Sequence, residues 1–460
     1  MLNRVAFNRI AATLVALIAF THTAHAVEVQ EVTSPGGIKA LLVEDYTVPL
    51  VSLAFSFKGG ASQDAPGKEG TAKLLTTMLD EGAGDIGSEE FLARLEELGV
   101  QYRFSAGLDT FSGSAFTLRS NLDETFDLIG TALAEPRFDA EPLSRMKTAA
   151  LVALKRKEAE PGELAGEAFR KAVFGQHPYG RPDDGTTETV SSITREDLVD
   201  YHRRNFAQSN LTVGVVGAIS AQELGPKLDE LFGALPKKAE LRDVPEASID
   251  TGESVHVELD VPQTSITVAL PGLKREDPDF FAAYLVNHIL GGGSFNSRLY
   301  EEVREKRGLA YSVYSYLATR DHAGYFGAGS ATRADRASET LEIIKREIKR
   351  MAEEGPTQAE LEAAKKFIKG TYAISNLDTS RKIASVLVAI QEGDLGLDYI
   401  DKRQDLIDAV TIEDARRVAG GLLAAEPTVI TVGRPLAAND NTPATNAPAI
   451  KAPAKAASDG

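Results

Sequence analysis

The second part of this chain repeats the first. Val48-Pro49-Leu50-Val51-Ser52 returns as Val261-Pro262-Gln263-Thr264-Ser265, and each opens an alternating run that reads as a strand, at 51–57 and 265–270. A helical stretch ending in glycines follows in both places, at 82–84 and 291–293. Leu95-Glu96-Glu97-Leu98-Gly99-Val100-Gln101-Tyr102 then aligns with Arg304-Glu305-Lys306-Arg307-Gly308-Leu309-Ala310-Tyr311. Near the end of each half Thr194-Arg195-Glu196-Asp197 answers Thr411-Ile412-Glu413-Asp414, before a helix and a short apolar strand closing on Gly217 or Gly433. Gly99 and Gly308 lie 209 residues apart, Thr194 and Thr411 lie 217 apart, and Gly217 and Gly433 lie 216 apart. Several ordered matches at nearly one offset predict two homologous halves, in each of which strands alternate with amphipathic helices.

The boundaries follow from composition. Arg4 and Arg9 precede an apolar run over 10–20, and Ala24-His25-Ala26 fits a signal-peptidase site, so 1–26 reads as a cleaved signal peptide. The run is too short to cross a bilayer comfortably, and no later stretch is long enough without charge, which predicts an exported chain with no stable membrane insertion, placed most simply in a bacterial periplasm. The first half spans 27–236, a polar linker 237–254 and the second half 255–436. The tail, 437–460, is rich in Ala, Pro, Asn and Lys and has too few large apolar residues to fold. Phe91, Leu92, Leu95 and Leu98 form a helical stripe with Ser88 as its expected cap; Leu341, Ile344 and Ile348 form another, with Ser338 as cap.

Two counts exclude whole classes of chemistry. There are no cysteines among the 460 residues, which removes disulfides, thiol catalysis and thiolate metal sites. The net charge of −17, without a long basic run, argues against nucleic-acid binding. No phosphate-binding G-x-x-x-x-G-K-[ST] loop and no G-x-S-x-G elbow occurs. The seven histidines form no pair at four-residue spacing in the mature chain, and His177, before Pro178, reads as a turn residue.

The ordered segments Gly59-Gly60, 70–79, His177-Pro178-Tyr179-Gly180, 210–217 and 290–300, the last running on to Arg304 and Tyr311, resemble the insulinase–pitrilysin family of zinc peptidases. The likeness is to its short members related to mitochondrial processing peptidase, and it covers roughly residues 30 to 435. It implies an α+β fold of two homologous halves, each a mixed, mainly antiparallel sheet with packed helices. Active members carry H-x-x-E-H on a helix, with a further Glu downstream. The matching positions here are Lys73, Thr76 and Thr77, and at the downstream position Ala153. The resemblance therefore implies a chain with no metal of its own.

What the resemblance leaves intact is Arg304 and Tyr311. In that family an Arg and a Tyr so spaced reach toward the zinc-bound substrate. The Arg forks onto a carbonyl or carboxylate and the Tyr hydroxyl stabilises a developing oxyanion. The implied function is a metal-free subunit of a heterodimeric zinc peptidase. A homologous H-x-x-E-H subunit would supply the zinc, this chain Arg304 and Tyr311, and the substrate would be peptide or unfolded protein. The alternative is a noncatalytic peptide-binding or assembly subunit with no part in turnover.

Overall fold

The computed structural model describes residues 28–158, 160–436 and the backbone of 450–451. The expected signal peptide and nearly all of the expected tail lie outside the described residues.

The first half contributes strands β1 (Gln30–Thr33), β2 (Lys39–Glu44), β3 (Leu50–Lys58), β4 (Gly82–Ala83), β5 (Ile86–Gly87), β6 (Gln101–Ala106), β7 (Thr110–Leu118) and β8 (Leu211–Gly217). The second contributes β9 (Ser254–Glu258), β10 (Gln263–Pro271), β11 (Ala310–Arg320), β12 (Ala323–Arg333), β13 (Thr428–Gly433) and β14 (Ile450–Lys451). The first sheet runs β1-β2-β8-β3-β7-β6 and the second β14-β9-β13-β10-β12-β11. Without the outermost β1 and β14, the two orders are the same. β2 pairs with β8 in parallel, as β9 does with β13, and the inner pairs from β8 to β6 and from β13 to β11 are antiparallel. The fold is α+β, with each half a mixed, mainly antiparallel sheet.

Matched residues of the repeat take matched conformations. Gly99 and Gly308 both have a left-handed backbone, φ 62° and 60°. Thr194/Asp197 and Thr411/Asp414 both form capping boxes, in which each side chain bonds the other residue's backbone N–H. The expected serine caps differ. Gly87 precedes the helix Ser88–Glu97, leaving the Ser88 hydroxyl to bond Glu81. The helix Ala337–Glu354 begins one residue before Ser338, after Arg336. Leu92 is exposed, so the buried stripe of its helix is Phe91 and Leu95.

The central strands alternate large and small residues. Val51, Leu53, Phe55 and Phe57 of β3 enter the core of the first half, while Ala54 points to the opposite face. In β10, Ile266, Val268 and Leu270 enter the second core and Ala269 faces away. A helix from the other half covers each small face. Ser380–Glu392 packs Ala384, Leu387 and Val388 on β8 and β3 of the first sheet. Pro161–Phe174 packs Ala165, Phe169 and Val173 on β13 and β10 of the second. Close approach is needed: a Cβ on Gly214 of β8 would lie 2.4 Å from the Ala384 carbonyl oxygen.

The halves also meet at their hairpin turns. The Tyr179 hydroxyl donates to Asp109 and accepts from the His322 backbone N–H at 3.1 Å, and Lys58 pairs with Asp321 at 3.2 Å. The segment expected as a polar linker has no helix or strand over 237–253, yet it is strapped down. Arg242 exchanges backbone bonds with the Gln63 amide, Glu240 N–H donates to the Arg204 carbonyl, and His177 bonds the Pro245 carbonyl at 2.8 Å.

Candidate functional site

At the degenerate zinc motif, the helix that carries Lys73 is short, Thr71–Leu75. Buried Asp64 anchors its start, accepting from the N–H groups of Gly70 at 2.8 Å and Ala72 at 2.9 Å. Its end is set by the two threonines. The Thr76 hydroxyl donates back to the Lys73 carbonyl at 2.7 Å and the Thr77 hydroxyl to the Leu74 carbonyl at 2.8 Å. Such back-bonding competes with the helical ladder. The chain tightens into i to i+3 bonds, Thr77 N–H to Leu74 and Met78 N–H to Leu75. Lys73 and Thr77 thus do not share the face of a continuous α-helix.

The charge at this position is cationic. Lys73 lies 3.5 Å from one oxygen of Asp184, and Lys157 lies 2.6 Å from the other. Burial pushes the Asp184 carboxyl up, but the two ammonium groups outweigh it and hold it below the usual carboxylate range. Ala153 sits one turn before Lys157 on the helix Ala140–Lys157, which packs against the Lys73 helix. A tetrahedral Zn²⁺ site takes imidazole, carboxylate or thiolate ligands. Here stand an ammonium, two hydroxyls already donating to carbonyls, and a methyl group. The residues do not fit the metal. Among the described residues no cluster of three or more His, Cys, Asp or Glu could hold a metal ion.

Two expectations follow. The purified chain should carry no stoichiometric zinc, and the triple change Lys73→His, Thr76→Glu, Thr77→His should not restore it, because Ala153 supplies no downstream carboxylate and the helix ends at Leu75. Metal analysis after dialysis against a mild chelator checks both, and one zinc per chain would refute the first.

A further expectation concerns Asp64, whose carboxyl burial pushes up to about 7 from 3.8, even though the Ala72 and Gly70 N–H bonds pull it back. Between those values the native state holds a proton that the unfolded state has released, so stability falls as pH rises through that window. Asp64→Asn carries no titrating group and should lack this slope. Urea unfolding across about pH 4 to 8 should show the wild type losing stability relative to the variant. Parallel curves would show that the buried carboxyl does not titrate there.

Arg304 and Tyr311 sit on two backbone irregularities that periodicity did not reveal. Arg304 lies in a π-helical turn, Glu301–Glu305, and Tyr311 is the extra residue of a β-bulge, since Ala310 pairs with Thr332 and Ser312 with Ala331. Both irregularities re-aim side chains and concentrate at functional sites. The Arg304 guanidinium is held between two rings, 4.9 Å from the centroid of Tyr300 and 4.6 Å from that of Tyr311. One of its N–H groups donates to the Tyr311 carbonyl at 3.1 Å. Tyr311 itself is 84% exposed. The left-handed Gly308 provides the reversal that brings the end of the π-turn beside the start of β11. The structure therefore joins Arg304 to Tyr311, and separately joins Lys73 to the helix of Ala153. The depression around Tyr311, lined by Gly308 and Arg333, shares no residue with the cavity of about 670 Å³ beside Lys157 and Asp184.

The remaining sequence candidates are structural. A second π-turn, His288–Gly292, carries the glycine run, and a Cβ on Gly291 would lie 2.6 Å from Ser315 of β11. These glycines serve close packing. His177 caps the turn at 178–180, and His202 is packed against Phe206 with Nε2 2.7 Å from the Leu133 carbonyl.

Comparison with known proteins agrees with this geometry. Residues 39–187 match the family model for insulinase (peptidase family M16), and residues 192–368 match that for the peptidase M16 inactive domain. A Streptomyces coelicolor protein described as an uncharacterized zinc protease is 26% identical, over 88% of this chain and 89% of its own length. A Helicobacter pylori protein described as the non-peptidase homolog YmxG is 27% identical, over 75% of this chain and 80% of its own. The crystal structure of a peptidase M16 inactive domain from Pseudomonas fluorescens superposes with a TM-score of 0.84 at 29% identity, covering 89% of this chain and 99% of that one.

Proposed function

The chain belongs to the insulinase family of zinc peptidases, as a noncatalytic member without the H-x-x-E-H motif, and from this premise we propose that it is the metal-free subunit of an exported heterodimeric peptidase. The observation that carries the reading is a division within the chain. Its own metal position is filled by the Lys73–Asp184–Lys157 ion pairs, while Arg304 and Tyr311 are clamped together and turned to solvent. An Arg held between two rings has given up most of its rotamer freedom, and so have the N–H groups it has left to offer. An aromatic side chain as exposed as Tyr311 loses the burial that usually holds one in place.

In this reading a homologous partner carries H-x-x-E-H and binds zinc, which would activate the attacking water there. Arg304 donates to a backbone carbonyl or carboxylate of the bound peptide, and Tyr311 donates its hydroxyl to the oxyanion. Co-purification from the native host tests the assembly. A similar-length subunit with an intact motif, recovered at one-to-one stoichiometry, is the expected result; a monomer or homodimer alone would reject the heterodimer.

The segment 1–26 extends the proposal to a periplasmic location, with a mature N-terminus at or near Val27. Mass spectrometry of the native protein should show that start. An intact Met1 would remove the export assignment.

The second reading, peptide binding without turnover, is favoured by an aromatic-walled cavity between the halves, which is complete within this chain.

A further inference from the structure

That cavity has a volume of about 560 Å³ and lies between the helix Pro161–Phe174 of the first half and strands β10–β12 of the second. One wall is aromatic. Tyr314 and Tyr316 of β11 lie with ring centroids 6.2 Å apart and planes 28° apart, and Tyr325 meets Tyr316 edge-on at 5.9 Å. The tyrosines lie across the neighbouring strand, over Gly329 and Gly327, their partners in register. A Cβ on Gly327 would come within 2.3 Å of the Tyr316 ring. The two glycines are what let the rings lie flat. Tyr314 is 50% exposed, so solvent reaches this wall.

The opposite wall carries Phe169, Arg170 and Phe174 toward the C-terminal end of the helix and is open toward its N-terminal end. Gly162 and Gly166, one helical turn apart, line it. A Cβ at Gly162 would meet nothing within 4 Å, and one at Gly166 only the Arg170 guanidinium at 3.5 Å. Gly166, inside the helix, costs about 1 kcal/mol relative to alanine, while Gly162 lies in its first turn. No neighbouring group requires them, but a slot does.

The charges in the slot are unbalanced. Arg170 and Arg320 line it against one carboxylate, Asp183, and Arg170 Nε is buried with no partner. Among the described residues neither arginine makes an ion pair, although Arg320 is near enough to Asp109 to pull its carboxyl back against the rise that burial causes. In a chain of net charge −17 this is a local reversal of sign. A guanidinium with an unpartnered N–H is matched by a carboxylate, which accepts two parallel bonds.

The slot also continues the Arg304–Tyr311 site. Ala331 lines both this cavity and the depression around Tyr311, and Tyr311 and Tyr314 are three positions apart on one strand, about 10 Å at strand rise. Among the described residues β11 is the last strand of its sheet and pairs with β12 alone, so its outer edge offers backbone groups to an extended peptide.

We propose that this cavity selects the substrate: it takes an extended peptide segment with an acidic residue beside an aromatic one, the ring lying on Tyr314 and Tyr316 and the carboxylate on Arg170 and Arg320. This rests on the reading above that the chain admits peptide. Titration calorimetry on the full mature chain tests it, using nine-residue peptides blocked at both ends. The central pair is Phe-Glu, Phe-Gln, Ala-Glu or Phe-Lys, and a Phe-Gln peptide with a free C-terminus separates a terminal carboxylate from a side-chain one. Phe-Glu should bind at least about tenfold more tightly than Phe-Gln, Ala-Glu or Phe-Lys. Arg320→Gln should abolish the preference for Glu over Gln, and Tyr314→Ala, at a half-exposed position, the preference for Phe over Ala. Gly166→Leu, which fills the slot, should weaken every peptide. Circular dichroism establishes that each variant is folded. Tightest binding of the free C-terminus would assign the arginines to a terminal carboxylate and overturn the side-chain assignment. Equal binding of all peptides would overturn the proposed selectivity and leave the peptide chamber standing. Binding of none would overturn both.

Discussion

Tyr311→Phe in the reconstituted heterodimer should lower kcat by roughly 10² to 10³ and leave KM close to its starting value. The change removes one hydroxyl and keeps the ring, so the stacking of Arg304 on positions 300 and 311 survives. A donor used only when the oxyanion forms contributes to the transition state and not to ground-state binding, which is why the loss falls on kcat. Arg304→Ala should differ. Its guanidinium already bonds one backbone carbonyl, that of Tyr311, and in the proposed site its remaining N–H groups hold substrate before and during reaction. It should therefore raise KM as well as lower kcat. Neither change should disturb folding, since Tyr311 is exposed and Arg304 only half-buried. If both variants stay within about twofold of wild type in both constants, roughly 0.4 kcal/mol, the pair takes no part in turnover. The chain is then a binding or assembly subunit.

Leu387→Ala should destabilise the protein by about 2 to 5 kcal/mol, and the damage should appear in the half of the chain to which residue 387 does not belong. Leu387 is fully buried among Leu41, Val43, Ala54 and Val216, all from the first half. Truncation leaves a cavity under β3 and β8. Urea unfolding followed by circular dichroism gives the loss, and amide hydrogen exchange gives its location. Amides of β3 and β8 should exchange faster, together with those of the helix Ser380–Glu392. A loss below about 1 kcal/mol, or one confined to that helix, would mean that the halves are stabilised independently.

The repeat was the most legible part of the fold because its markers carry local backbone demands. Gly99 and Gly308 must be left-handed, and Thr194/Asp197 and Thr411/Asp414 must cap helices, whatever surrounds them. The loss of the zinc motif was legible for a similar reason: an ammonium, two hydroxyls and a methyl group at Lys73, Thr76, Thr77 and Ala153 do not match the ligand types of that motif. The exchange of helices between halves was not legible. Alternation in β3 and β10 shows that one face is small, but no local rule says that residues 380–392 cover the first sheet and 161–174 the second. Asp184, the partner of Lys73, and Lys157, which shares that carboxylate, come from 111 and 84 residues away, and only the tertiary fold brings them together. The π-turn at Arg304 and the bulge at Tyr311 arise from register, where one extra residue shifts the pairing without any mark in residue type. The serine caps were misplaced because Ser88 lies inside its helix, where Glu81 engages its hydroxyl, and the other helix begins before Ser338.

The most direct test of the shared-site account is the peptide-cleavage rate of the partner subunit, measured with and without this chain under saturating substrate. The account predicts no cleavage by this chain alone, little by the zinc-bearing partner alone, and full activity only when the two are combined at one-to-one ratio. A partner equally active without this chain, or cleavage by this chain in the partner's absence, would contradict it.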